Sequence, residues 1–112
     1  MDEPEYAGTM SSPEDRRRWP RVTPGPLKVS MFEQDGVLVD ISQSGACIRV
    51  ALALASNAVT PFILKWDEDI LLNGRIVRSW VDRTQHRIGV EFVGLAPRTA
   101  IQLRRLTVAA AS

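Results

Sequence analysis

Two groups of residues in this chain have types and spacings that can grip an anion. Arg17 and Arg21 stand with three residues between them in the run Arg16-Arg17-Arg18-Trp19-Pro20-Arg21, which holds four of the chain's twelve arginines and no acid. A guanidinium is a planar fork of donors. It binds phosphate oxygens or the O6 and N7 edge of a guanine bidentately, and it stacks on a base. The second group is Asp40-x-Ser42-x-x-Gly45. There a carboxylate can accept from guanine N–H groups, a hydroxyl can add a further bond, and glycine lets the backbone turn closely. The same three residues also suit a plain turn between strands, with Asp and Ser bonding to the local backbone and Gly supplying positive φ. The bend by itself carries both readings.

The remaining chemistry-bearing residues are isolated. His86 is the only histidine and Cys47 the only cysteine, so a conventional metal site, an internal disulfide and a Ser-His or Cys-His nucleophile all lack parts. Cys47 alternates with Ala46 and Ile48 and reads as a buried packing residue. Asp67-Glu68-Asp69 is the densest acidic cluster, but strand-like flanks make it a solvated turn before a paired-carboxylate site. No phosphate-cradling Gly-rich loop is present. No enzyme and no cofactor are expected.

The arginine run cannot lie in a buried strand or core helix, because so much unpaired charge is too costly to desolvate. Pro20 lacks an N–H and biases Trp19 away from helix, which predicts an exposed, extended arm close enough to a folded body for Trp19 to dock. Residues 1–14 contain Gly8, Ser11, Ser12 and Pro13 and few large apolar groups, and are expected to form a disordered tail. Residues 1–15 carry five acids and no base, whereas the rest holds fourteen bases against eight acids. That layout favours an anionic partner. With 112 residues, 45% hydrophobic and 24% charged, the chain has room for one domain, residues 15–112, around a modest core. No secretory leader and no run of about eighteen apolar residues is apparent, so a cytoplasmic protein without a membrane segment is expected.

Strand signals follow the arm. Leu27 to Phe32 alternates apolar and polar, and Glu33-Gln34-Asp35-Gly36 reads as a hairpin turn. Gly36 to Ile41 is a second strand, with Val37, Val39 and Ile41 on one face and Leu38 and Asp40 on the other. Ala46 to Val50 is a third, with Ala46, Ile48 and Val50 on one face and Cys47 and Arg49 opposite. Residues 51–60 fit either a continued strand or a helical turn. Pro61 to Trp66 is strand-like. Ile70 to Trp80 forms one long strand or two short ones, with Asn73-Gly74 as bulge or turn. Arg87 to Phe92 alternates again, with Ile88, Val90 and Phe92 inward. Strands at this spacing suggest a small antiparallel barrel. From Pro97 to Val108, Ile101, Leu103, Leu106 and Val108 recur at roughly helical spacing, predicting a C-terminal helix.

Arg-x-x-x-Arg ahead of a first strand, followed about twenty residues later by Asp-x-Ser-x-x-Gly between the second and third, resembles the PilZ domain family. The resemblance runs from Arg16 to Leu106 and includes Ile88-Gly89-Val90-Glu91-Phe92 as the last barrel strand. It implies a mostly β fold, a six-stranded antiparallel barrel with a C-terminal α-helix. It also implies a receptor for the bacterial second messenger cyclic di-GMP. Carried over by position, Arg17 and Arg21 clamp phosphates and guanine edges, and Asp40, Ser42 and Gly45 meet a guanine from the barrel side. Arg16 and Arg18 flank the motif and add charge or stacking. The function expected is a single-domain receptor whose arm is drawn onto the barrel by ligand, and which passes the signal to a protein partner. A PilZ-like interaction module that binds no nucleotide is the alternative. A small-barrel nucleic-acid binder is a further one, although nucleic acid is not the partner expected here.

Overall fold

Alternation of period two resolves into six antiparallel strands that close on themselves. A computed structural model describes residues 21–31 and 34–111. Arg16, Arg17, Arg18, the acidic segment 1–14 and Phe32-Glu33 of the first hairpin lie outside those residues. The strands are β1 (Lys28–Met31), β2 (Asp35–Ile41), β3 (Gly45–Val50), β4 (Val59–Lys65), β5 (Asp69–Asp82) and β6 (Gln85–Phe92), followed by the helix α1 (Pro97–Ala111). The barrel order is β1-β2-β3-β6-β5-β4, with β4 pairing back onto β1. Closure pairs every strand on both sides and removes the free edges that an open sheet would expose.

The core is the inner face of this barrel. Ala46, Ile48 and Val50 on β3 and Ile88, Val90 and Phe92 on β6 are buried in it, as their alternation predicts. Val29, Leu64, Ile70 and Ile76 complete it from the neighbouring strands, and Leu103 and Leu106 of α1 join the same cluster.

Three expectations are corrected. On β2 the buried hydrophobic side chains are Leu38 and Ile41, while Val37 and Val39 are only half-buried. The register explains this: Leu38 pairs with Ile48 and Asp40 with Cys47, so Val39 is an extra residue, a β-bulge. Asn73-Gly74 is neither turn nor bulge. β5 runs through it without a break, and the irregularity falls between Ile76 and Arg78. Gly74 is needed for space, since a Cβ there would stand 2.9 Å from Cε1 of Phe62 and 3.1 Å from Cβ of Val90. In α1 the buried stripe is Leu103, Leu106 and Thr107, and Ile101 and Val108 are exposed. At 100° per residue Ile101 lies on nearly the opposite side from Leu103, so the two cannot share one docked face.

Residues 51–58 form neither strand nor helix. Gln34 pins the start of this loop, its Oε1 accepting from the Ala51 and Leu52 N–H groups and its Nε2 donating to the Leu52 carbonyl, all at 3.0 Å. The other end is held by two backbone hydrogen bonds to Ile76, from Asn57 N–H and to the Ala58 carbonyl. The acidic turn has a partner as well. Glu68 accepts from Gln102 Nε2 at 2.6 Å and pairs with Arg105 at 3.0 Å, which ties α1 to the start of β5.

Gly74→Ala is expected to destabilise the fold by about 1–3 kcal/mol through overpacking against Phe62. The urea midpoint measures it, and trimming the opposing ring with Phe62→Leu should recover part of the loss. An unchanged midpoint would show that the close approach is not required.

Candidate functional site

The end of the arginine arm is fastened to the barrel. Val22 N–H donates to the Ile41 carbonyl at 2.8 Å and Ile41 N–H to the Val22 carbonyl at 2.9 Å, an isolated antiparallel bridge at the end of β2. That bridge sets Arg21 over the neighbouring Asp40, and Nη1 of Arg21 lies 2.8 Å from Oδ1 of Asp40. The two side chains are 53% and 29% exposed. The pair is therefore water-screened and contributes on the order of 0–1 kcal/mol to stability. Oδ2 of Asp40 has no partner among the described residues.

The bulge at Val39 is what puts Asp40 there. In an unbroken strand, Leu38 and Asp40 would share a face, and an inward Leu38 would bring the carboxylate into the core. One extra residue reverses the parity, so Leu38 points in and Asp40 points out. The β5 irregularity works in the same way. Ile76 is buried, and Arg78, two residues on, is exposed on the outer face.

Ser42 and Gly45 are built into the β2–β3 turn. Ser42 is 2% exposed. Its N–H donates to the Gly45 carbonyl at 2.8 Å, and its Oγ accepts from the Ser44 N–H and meets Ser44 Oγ, each at 3.2 Å. Gly45 does not adopt positive φ. An added Cβ would instead collide with the Val90 carbonyl oxygen of β6. These two residues hold the turn tightly against the barrel, and Asp40 is the group of this motif that reaches solvent. Arg21 and Asp40 are thus brought together; Arg17, Arg16 and Arg18 lie outside the described residues.

The surroundings of Asp40 are richer than either motif suggests. Across the outer face Asp40 pairs with Cys47, Cys47 with Gly89, and Gly89 with Arg78. One row along, Val37, Arg49, Arg87 and Trp80 follow one another on β2, β3, β6 and β5. Arg78 stacks over Trp80, its guanidinium carbon 4.4 Å from the ring centroid. Cys47 is half-buried on this outer face and is not a core residue. Burial raises its thiol pKa above the ordinary value, the Asp40 carboxylate raises it further, and Arg87, Arg21 and Arg78 pull it down. Sequence reasoning missed that Arg78, Arg87 and Trp80 share the outer face with Asp40, two to three strands away. Alternation placed Arg49 outward, but only the register shows what lies beside it.

A separate concavity of about 500 Å³ is lined by Lys28, Asp35, Arg49, Thr84 and His86 among others. It contains no residue of either motif, and of the residues near Asp40 it shares Val37 and Arg49. Among the described residues no cluster of His, Cys, Asp and Glu is placed to hold a metal ion, and no helix is long and apolar enough to cross a membrane.

Comparison with known proteins agrees with this architecture. The family model of the PilZ domain matches residues 15–109. The inhibitor of motility MotI/DgrA of Bacillus subtilis superposes with a TM-score of 0.73 at 20% identity, over 84% of this chain and 50% of that one. This chain therefore spans half the length of that relative. The PilZ domain of YcgR from Escherichia coli, solved with c-di-GMP, superposes with a TM-score of 0.71 at 16% identity, over 86% and 92% of the two chains. The PilZ domain of CeSA from a cellulose-synthesizing bacterium gives 0.59 at 20% identity, over 82% and 98%. At such identities the likeness is one of fold. No curated protein matches the chain in sequence.

Because the Asp40 carboxylate adds to burial in raising the Cys47 thiol pKa, Asp40→Asn should speed its alkylation by iodoacetamide at pH 8, where the thiolate is the reacting species. Loss of absorbance of a thiol reagent, or mass spectrometry, follows the rate. A slower or equal rate would mean that the carboxylate does not face the thiol.

Proposed function

The chain belongs to the PilZ domain family, and on that premise we propose that it is a receptor for cyclic di-GMP. In this reading the dinucleotide binds between the arginine arm and the outer face of the barrel. The observation that supports it most directly is the Arg21–Asp40 pair at 2.8 Å, which joins the two sequence motifs on one solvent-facing surface.

The chemistry suits the ligand. Two phosphodiesters need cationic forks, which Arg17 and Arg21 supply, with Arg16 and Arg18 adding charge or stacking. A guanine offers N–H donors on one edge, and Oδ2 of Asp40, which has no partner among the described residues, accepts from them. Ser42 and Gly45 keep the turn in the shape that presents Asp40. The guanine base can then lie over Cys47 and Gly89, two small cross-strand partners on that face. Arg21 need not leave Asp40 completely, because a guanidinium has five N–H donors and the pair uses few of them.

Binding changes what this face offers to other molecules. Where the empty protein shows arginine forks and a carboxylate, the occupied one shows a planar base and a more closely held arm. A protein partner that reads the occupied face is the output we propose.

Isothermal titration calorimetry with cyclic di-GMP tests the site. Each charged hydrogen bond contributes about 1.5–3 kcal/mol, so Arg17→Ala, Arg21→Ala and Asp40→Ala should each weaken binding roughly ten- to a hundredfold. Cyclic di-AMP and GTP should bind far less well. Identical heats across the series would remove the site assignment, and a flat wild-type titration would favour the PilZ-like interaction module that binds no nucleotide.

A further inference from the structure

We infer that Arg49 and Arg87, which belong to neither motif, form a phosphate-binding subsite on the barrel wall beside Asp40; this rests on the proposed cyclic di-GMP reading and extends its contact set. The two arginines are direct cross-strand partners on β3 and β6. Like charges placed opposite each other on an antiparallel pair repel and destabilise it. Arg49 has no ion-pair partner among the described residues, so nothing described there offsets its side of that repulsion.

Arg87 is only partly satisfied. Its Nη2 lies 3.1 Å from Oδ2 of Asp82, and its side chain is 27% exposed. Its Nε is shielded from solvent and has no hydrogen-bond partner among the described residues. A buried donor without an acceptor costs about 1–3 kcal/mol. An anion seated between the two guanidiniums screens the repulsion and accepts from their solvent-facing Nη groups; Nε of Arg87 comes within its reach only if that side chain turns.

The wall around the pair has room for such a ligand. Gly89 lies two residues along β6 from Arg87 on the same outer face. A Cβ there would only touch Arg78 Cβ, Trp80 Cζ3 and Val77 Cγ2 at 3.8–3.9 Å, so the missing side chain leaves a shallow recess. The stacked Arg78–Trp80 pair lies on the β5 side of that recess. Asp40 lies across it, opposite Cys47. Arg49 is two residues from Cys47 along β3, about 7 Å. One dinucleotide can therefore place a base at Asp40 and a phosphate at Arg49 and Arg87. Arg49 also lines the neighbouring concavity, where Lys28 is paired with Asp35 at 3.2 Å and Arg49 itself has no ion-pair partner among the described residues.

The test uses the full chain with Arg49→Gln, Arg87→Gln, the double substitution, and Arg104→Gln on exposed α1 as a control for net charge. Cyclic di-GMP affinity should fall about tenfold in each wall variant and stay within twofold of wild type in the control. The unliganded Tm of Arg49→Gln should equal or exceed that of wild type, because repulsion is relieved. A purely structural role would lower it. Affinities unchanged in both single variants, or lowered equally in the control, overturn the inference. Inorganic pyrophosphate is a second probe that does not depend on the nucleotide reading. It should raise the Tm of wild type more than that of the double variant, and equal rises overturn the subsite. If wild type ignores cyclic di-GMP, the proposed function fails by itself and the pyrophosphate comparison alone decides the subsite.

Discussion

Asp40 reaches solvent beside Arg21 only because β2 carries one residue more than the strand it pairs with. Leu38 and Ile41 are both core residues, and three positions separate them where a regular strand would demand an even number. The extra residue, Val39, lets the hydrophobic core keep both anchors and still turn the carboxylate outward. The bulge is maintained by the burial of those two side chains, each favourable by about 1.5–3 kcal/mol. A weak surface ion pair could not impose that geometry; the core does.

What the barrel holds loosely is as informative as what it holds tightly. The described end of the arm is tied by two backbone hydrogen bonds at Val22 and one exposed ion pair. Backbone bonds of this kind contribute about 0.5–1.5 kcal/mol each, so the attachment at Arg21 and Val22, among the described residues, is comparable with one or two charged hydrogen bonds. The β2–β3 turn is different. Ser42 is buried and bonded within it, and Gly45 lies against the Val90 carbonyl. Asp40 is thus held by the core and the turn, whereas Arg21 is held by a weaker, water-screened attachment. In the proposed receptor these are the rigid half that selects and the half that rearranges when ligand arrives.

Much of this was legible in the sequence. Alternation on β3 and β6 named the inward residues correctly, because both strands are regular for their full length. Two short motifs at the right separation indicated the family. The misassigned faces share a physical cause. A bulge is a property of two strands together, and nothing in Val37-Leu38-Val39 or Ile76-Val77-Arg78 shows which partner is one residue short. Asn73-Gly74 reads locally as a bulge or a turn, whereas the absent side chain of Gly74 makes room for Phe62 and Val90 on other strands. In α1, four apolar residues suggested one face, yet only Leu103 and Leu106 lie on the side that meets the barrel. The basic wall around Asp40 was invisible for the same reason, since Arg49, Arg78 and Arg87 become neighbours only through the register of three strands.

A backbone amide NMR titration of the isotopically labelled protein with cyclic di-GMP tests the central claim most directly, because it locates the ligand without assuming which residues matter. Binding on the outer face around Asp40 predicts saturable shifts at Arg21, Val22, Asp40, Ser44, Gly45 and Cys47, while the α1 amides from Arg98 to Ala111 stay in place. Saturable shifts confined to Thr84, Gln85 and His86 at the separate concavity, or no shifts at millimolar ligand, would contradict it.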